Sequence, residues 1–130
     1  MRRAAVLVVL ALLAVAAAYT WALRSSAAEQ SRFLGTWEMA GRPSCRWIVF
    51  REDGTGTLSD LDDVSHRPRR AQEMVWSVDP ARRTISIRVL PGRGSQGTEE
   101  GGRYQWYGRN LEIHHGGGTQ PGTFLYVKAE

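Results

Sequence analysis

Hydrophobic and polar positions follow two unlike patterns along this chain. From Ala4 to Leu23 twenty residues carry no charge and are almost all Ala, Val and Leu, with Arg2 and Arg3 before them and Arg24 after. Beyond that run, apolar side chains recur at every second position in short stretches separated by Gly, Asp, Asn and Pro. The first pattern predicts an apolar helix long enough to cross a bilayer, the second a series of half-buried strands.

The strands can be placed individually. Trp37 and Met39 share a face of the first; Trp47 and Val49 share a face of the second, with Ile48 and Phe50 opposite. Asp53-Gly54 predicts a hairpin turn into Thr55 to Ser59. Met74, Trp76 and Val78 alternate, turn at Asp79-Pro80-Ala81-Arg82, and are answered by Ile85, Ile87 and Val89. Tyr104 and Trp106 turn at Gly108-Arg109-Asn110 into Leu111 and Ile113, and Thr123 to Lys128 closes the chain. No convincing helix interrupts this series. The prediction is an all-β fold: a small antiparallel up-and-down barrel of about eight strands, preceded by an N-terminal hydrophobic helix. Closure pairs the two edges that an open meander would leave bare. A β-sandwich is the alternative that the strand pattern leaves open.

Residues 1–28 are assigned to a signal peptide or N-terminal membrane anchor, and 29–130 to the barrel domain. Ala16-Ala17-Ala18 and Ser26-Ala27-Ala28 offer small residues for signal cleavage, while the unbroken run and the interfacial Tyr19 and Trp21 favour a retained anchor through residues 4–23. With the basic N-terminus held inside, the remainder is carried across, so the predicted location is the cell envelope, or outside the cell if the signal is cleaved.

Charge changes meaning once that segment is set apart. The whole chain is at +4, but without Arg2, Arg3 and Arg24 the remaining 14 basic residues face 13 acidic ones. Opposite charges alternate rather than forming a basic stripe, which argues against nucleic acid as a partner. Cys45 is the single cysteine, so no intrachain disulfide can form; it reads as a small half-buried hydrophobe rather than a reactive thiol.

Candidate chemistry is sparse. Gly92-Arg93-Gly94-Ser95-Gln96-Gly97 spells G-x-G-x-x-G but is followed by Glu99, Glu100 and two glycines, where a phosphate site needs a helix; it reads as a flexible loop. His114 and His115 are neighbours on a strand and point to opposite faces, so they cannot share a metal. Asp60, Asp62 and Asp63 fail the calcium-loop pattern at Ser65 and Ala71. No Ser or Cys stands in a nucleophile setting. The expectation is a protein that is not an enzyme and needs no cofactor and no metal.

Gly35-Thr36-Trp37 on the first strand, Phe50-Arg51-Glu52-Asp53-Gly54-Thr55 at the first hairpin and the run Tyr104 to Ile113 resemble the lipocalins, and more closely the small lipocalin-like domains of exported bacterial proteins. The likeness covers about residues 33–128. It implies that Gly35 and Trp37 close one end of the barrel with a cation of the last strand over the Trp ring, a role open here only to Lys128. It also implies a small apolar or amphipathic ligand. Gly35, Trp37 and Cys45 are similar as well to the bacterial metalloprotease-inhibitor barrels, which implies an envelope protein as partner; those inhibitors pair the Cys with a second one, absent here. Trp37, Trp47, Trp76 and Trp106 are predicted to face inward, which would leave little cavity. Recognition is then expected at the rim, on the two longest connections, 60–73 and 91–103, through His66, Arg67, Arg69 and Arg70 on the first and Glu99 and Glu100 on the second.

Overall fold

In the computed structural model, residues 2–41, 46–60, 71–92, 96–116 and 122–129 are described. The chain begins with α1 (Arg2–Phe33) and continues as β1 (Gly35–Met39), β2 (Arg46–Phe50), β3 (Thr55–Asp60), β4 (Gln72–Asp79), β5 (Thr84–Val89), β6 (Thr98–Glu99), β7 (Gly102–Tyr107), β8 (Asn110–His115) and β9 (Gly122–Lys128). Eight of the strands pair antiparallel, each with its neighbour in sequence apart from β6, and β1 pairs with β9 to close the barrel. The two-residue β6 sits beside Arg88 and Val89 of β5. This is the closed eight-strand barrel that the alternation predicts, and closure removes the sandwich alternative.

Register explains which face is buried. Trp37 points inward and lies opposite Ile48, so Ile48 and Phe50 are the buried side of β2 and Trp47 turns outward, half-buried. That corrects the expectation for Trp47 and Val49. The stretch Trp47 to Phe50 is apolar on both faces, and only its pairing with β1 decides which one enters the core. Elsewhere the period-two pattern holds: Met74 and Trp76, Ile85, Ile87 and Val89, Tyr104, and Leu111 and Ile113 are all buried.

The helix is longer than its apolar run. It continues past Arg24 to Phe33, so the boundary expected at residue 28 falls within one unbroken helix. Residues 3–24 are exposed, whereas Phe33 is fully buried in the barrel core. The stretch from Arg3 onward is long and apolar enough to cross a membrane.

An up-and-down barrel has two ends. Here α1 joins β1 at one of them, together with the β2/β3, β4/β5 and β7/β8 turns and the end of β9. At this helix end Gly35 has φ +115°, a value that L side chains rarely adopt, and a Cβ there would meet Lys128 Cε at 3.0 Å. Gly35 lets the chain turn out of the helix while Lys128 lies across it. The ends at which β1 leads to β2, β3 to β4, β5 to β7 and β8 to β9 form the opposite, loop end.

Candidate functional site

Two clusters of side chains fill the interior, one at each end. At the helix end Phe33 stands at the centre of an aromatic group, with ring centroids 4.9 Å from Trp106, 5.0 Å from Tyr104, 5.8 Å from Phe50 and 6.1 Å from Trp76. Its carbonyl accepts a 2.7 Å hydrogen bond from Trp37 Nε1. One helical turn earlier, Glu29 accepts from Trp106 Nε1 at 2.8 Å and from the Tyr104 hydroxyl at 3.1 Å. Burial, reinforced by that carboxylate, pushes the Tyr104 phenol up to about 12. Lys128 Nζ lies 5.5 Å from the Trp37 ring and the Arg32 guanidinium 4.1 Å from Trp106. Gly35, Trp37 and Lys128 thus stand together as the Gly-x-Trp reading expects. Phe33, Glu29 and Arg32 were not foreseen, because they lie where the sequence reads as a tail to the apolar run.

The loop end carries the polar cluster. Arg46 opens β2 two residues before Ile48 and shares its inward face, fully buried. Its Nε donates to Asp60 Oδ1 at 2.7 Å, and its Nη1 lies 3.3 Å from Glu100 Oε2. Asp60 is its cross-strand partner on β3. Burial alone would lower the Arg46 pKa, but the hydrogen bond to Asp60 and the charges around it hold it above its ordinary value. Glu100 also accepts from Thr98 Oγ1 at 3.0 Å.

Glu100 therefore corrects the rim expectation: it is 1% exposed and faces the interior. The stretch after the Gly-rich motif is not a plain loop. Thr98 and Glu99 pair with β5, and Gly101 passes so close to that strand that a Cβ would lie 2.1 Å from the Ile85 carbonyl oxygen. The turn from β6 to β7 carries Glu100 into the barrel. Glu99 stays exposed on the outside. His66, Arg67, Arg69 and Arg70, and Cys45, lie outside the described residues.

His115 completes the cluster. It is 1% exposed, while its neighbour His114 points outward, as alternation requires. His115 Nδ1 donates to the Glu100 backbone carbonyl, which fixes the tautomer. Nε2 is then the acceptor, 2.8 Å from the Tyr126 hydroxyl, and Tyr126 in turn receives a hydrogen bond from Arg46. Burial pushes the Tyr126 phenol strongly upward and lowers the His115 pKa, with Arg46 adding to the second effect. Neutral His115 is what the hydrogen bonds demand, since a protonated Nε2 would compete with Tyr126 as donor.

Among the described residues, no buried side-chain nitrogen or oxygen lacks a partner. No group of three or more His, Cys, Asp or Glu among them could hold a metal ion. The cluster ties β2, β3, β8, β9 and the segment before β7 into one interior knot. Its guanidinium is occupied by carboxylates and both imidazole nitrogens are engaged, so it presents no poised base or nucleophile. The sequence held one clue: extending the Ile48 and Phe50 alternation back by two positions places Arg46 inside. For His115 the same step from Leu111 and Ile113 suffices.

The lowered His115 pKa has a testable consequence. Its folded value lies below the unfolded one of about 6.5, so the unfolded chain takes up the proton first; the contribution is intact above pH 6.5 and is lost as pH falls through it. In urea titrations, the native chain is expected to lose more stability between pH 8 and pH 5.5 than a His115→Gln variant does. Equal losses would show that His115 is not held neutral.

No protein-family model matches this chain, and no curated protein is similar to it. The barrel and its leading apolar helix are compatible with a lipocalin-like fold, and that compatibility rests on architecture and on the short motifs alone.

Proposed function

We propose that this chain is an envelope barrel, anchored through α1, that binds another protein with its loop end while its interior serves as packing. The observation that carries this reading is the occupation of the interior from both ends. Phe33 and its aromatic neighbours take up the helix end, and the Arg46 knot takes up the other. A carrier for an apolar molecule needs an open apolar pouch, whereas what lies under the loop end is a charged, fully hydrogen-bonded cluster.

The anchor gives the binding end a direction. Phe33 and Glu29 fasten the helix to the barrel, so the loop end points away from the membrane. Recognition is assigned to that end because long connections on a braced scaffold usually carry it. A lipocalin-like ligand carrier is the second reading, favoured by the Gly35, Trp37 and Lys128 arrangement.

Replacing Arg67, Arg69 and Arg70 by Glu tests the proposal. The variant is expected to keep the native melting curve and to lose, by at least about tenfold, the cross-linking of an envelope protein that the native chain shows in its own membrane. Organic extraction of the purified chain gives the opposing outcome: a stoichiometric apolar molecule, retained by the charge-swapped variant, would replace this reading with the carrier one. Recovery of a mature N-terminus at Tyr19 or Glu29 would remove the anchor.

A further inference from the structure

We infer that the helix end of the barrel carries a binding groove for the headgroup of an anionic phospholipid. The inference rests on the anchor reading above. Beside the point where α1 enters the barrel, the last helical turn, the β7/β8 turn and the end of β9 enclose an open groove of about 630 Å³. Its floor includes Trp37 and Trp106, and its walls carry Arg32, Arg109 and Lys128.

Three cations around one groove, with no carboxylate among the described residues that line it, make an anion site by charge. Among the described residues neither Arg109 nor Lys128 forms an ion pair, and the one carboxylate bound to Arg32 is Glu29, at 3.5 Å. Contact with an aromatic face leaves the charge of Lys128 and Arg32 intact, and it sets each head group in place over a ring. Arg and Lys so held are preorganised for a phosphate, Arg by its planar fork and Lys as a point charge. The half-buried Trp106 indole suits the glycerol and upper acyl region, as aromatic rings do at membrane interfaces.

Position selects the source of the phosphate. Leu23 ends the apolar run and Arg24 marks the headgroup level. Arg32 stands eight residues beyond Arg24, about 12 Å along an upright helix, whereas one headgroup layer is about 5–7 Å deep. A spanning helix tilts by about 20° on average, and extended Arg and Lys side chains reach down toward the interface as they do at helix ends. On the side that tilts toward the bilayer, the groove meets the phosphates of lipids already packed around α1. A lipid recruited there adds a second attachment to the single helix and fixes the rotation of the barrel about it. The expected preference is for an anionic over a zwitterionic headgroup, because the groove supplies charge and little else that distinguishes the two.

Native mass spectrometry of the full chain, released from micelles containing equal phosphatidylglycerol and phosphatidylcholine, tests this. The native chain is expected to retain one phosphatidylglycerol in preference to phosphatidylcholine, and Arg109→Glu to reduce that retention about tenfold, the effect of losing and reversing one charge-assisted contact. Lys128→Gln, whose amide keeps the length of the side chain but not its charge, is expected to act in the same direction. Arg88→Glu, on the outer wall of the barrel, is expected to leave retention unchanged, and near-ultraviolet circular dichroism on each variant reports that the barrel is folded. Equal retention of both lipids, or retention untouched by Arg109→Glu in a folded barrel, would overturn the inference. Alkaline extraction of native membranes separates this from failure of the anchor: a chain that resists extraction yet shows no lipid preference is anchored without the groove site, and a chain that is released was never anchored.

Discussion

Replacing Arg46 by alanine is expected to lower the unfolding free energy by about 3–5 kcal/mol, the cost of breaking a buried ion pair by removing one partner. Arg46 is fully buried and is shared by Asp60 and by a Glu100 that is 1% exposed. Without the guanidinium the Glu100 carboxylate loses a cation while it stays buried, where a charge is more costly than in water. The loss is about a fifth or more of the roughly 5–15 kcal/mol that holds a domain of this size together. A urea titration followed by tryptophan emission measures it. A pair of variants separates the charge effect from lost volume: Arg46→Met combined with Glu100→Gln removes both charges and fills most of the space, and is expected to cost less than Arg46→Ala alone. If the double variant costs as much as Arg46→Met alone, Arg46 does not act as the counter-ion of Glu100.

This knot was the least legible part of the chain, and the reason is physical. Strands whose two faces differ in polarity announce themselves: Met74 to Val78, Ile85 to Val89 and Tyr104 to Ile113 lie in the structure as their alternation predicts, and Asp53 caps its turn by accepting from the Thr55 amide at 3.0 Å. A strand apolar on both faces does not, and Trp47 was placed inside where Ile48 belongs. Arg46 and Glu100 are 54 residues apart, and each looks like a surface charge until the other is beside it. A buried ion pair is a tertiary fact, and local pattern contains only half of it.

Gly35, Trp37 and Lys128 show the opposite case. Their roles follow from a short motif and from the closure of β1 on β9, which pairs Trp37 with Lys128 directly. What that motif could not reveal is the residue before it. Phe33 follows Arg24, Glu29 and Arg32 in a polar stretch, and by composition the segment reads as the end of an export signal and not as part of a core. The helix nevertheless carries Phe33 into the barrel, because one apolar ring at the end of a rigid rod is enough to fill the opening that Gly35 creates.

Phe33→Ala is accordingly expected to cost about 3–5 kcal/mol, as large aromatic truncations in cores do, although the residue lies before the first strand. Its ring has four aromatic neighbours within 6.1 Å and no exposed surface, so truncation leaves a void at the helix end rather than a wet pocket. A second effect distinguishes this site from any other core position. With the ring gone, the hydrogen bonds of Glu29 to Tyr104 and Trp106 become the main remaining tie between helix and barrel, and both sit where water can compete for them. The helix should then swing. In a Cys45→Ser background, spin labels attached at Ala28→Cys on the helix and Ser86→Cys on the barrel wall are expected to give a narrow distance distribution in the parent chain and a broad one after Phe33→Ala. Arg32→Ala, which removes a surface contact with Trp106 but no buried ring, is expected to leave the distribution narrow. A Phe33→Ala chain that melts like the parent and keeps the narrow distribution would mean that the ring is not what fastens the helix. The fixed direction of the loop end would then rest on Glu29 and on the Phe33 carbonyl, which still accepts from Trp37 Nε1.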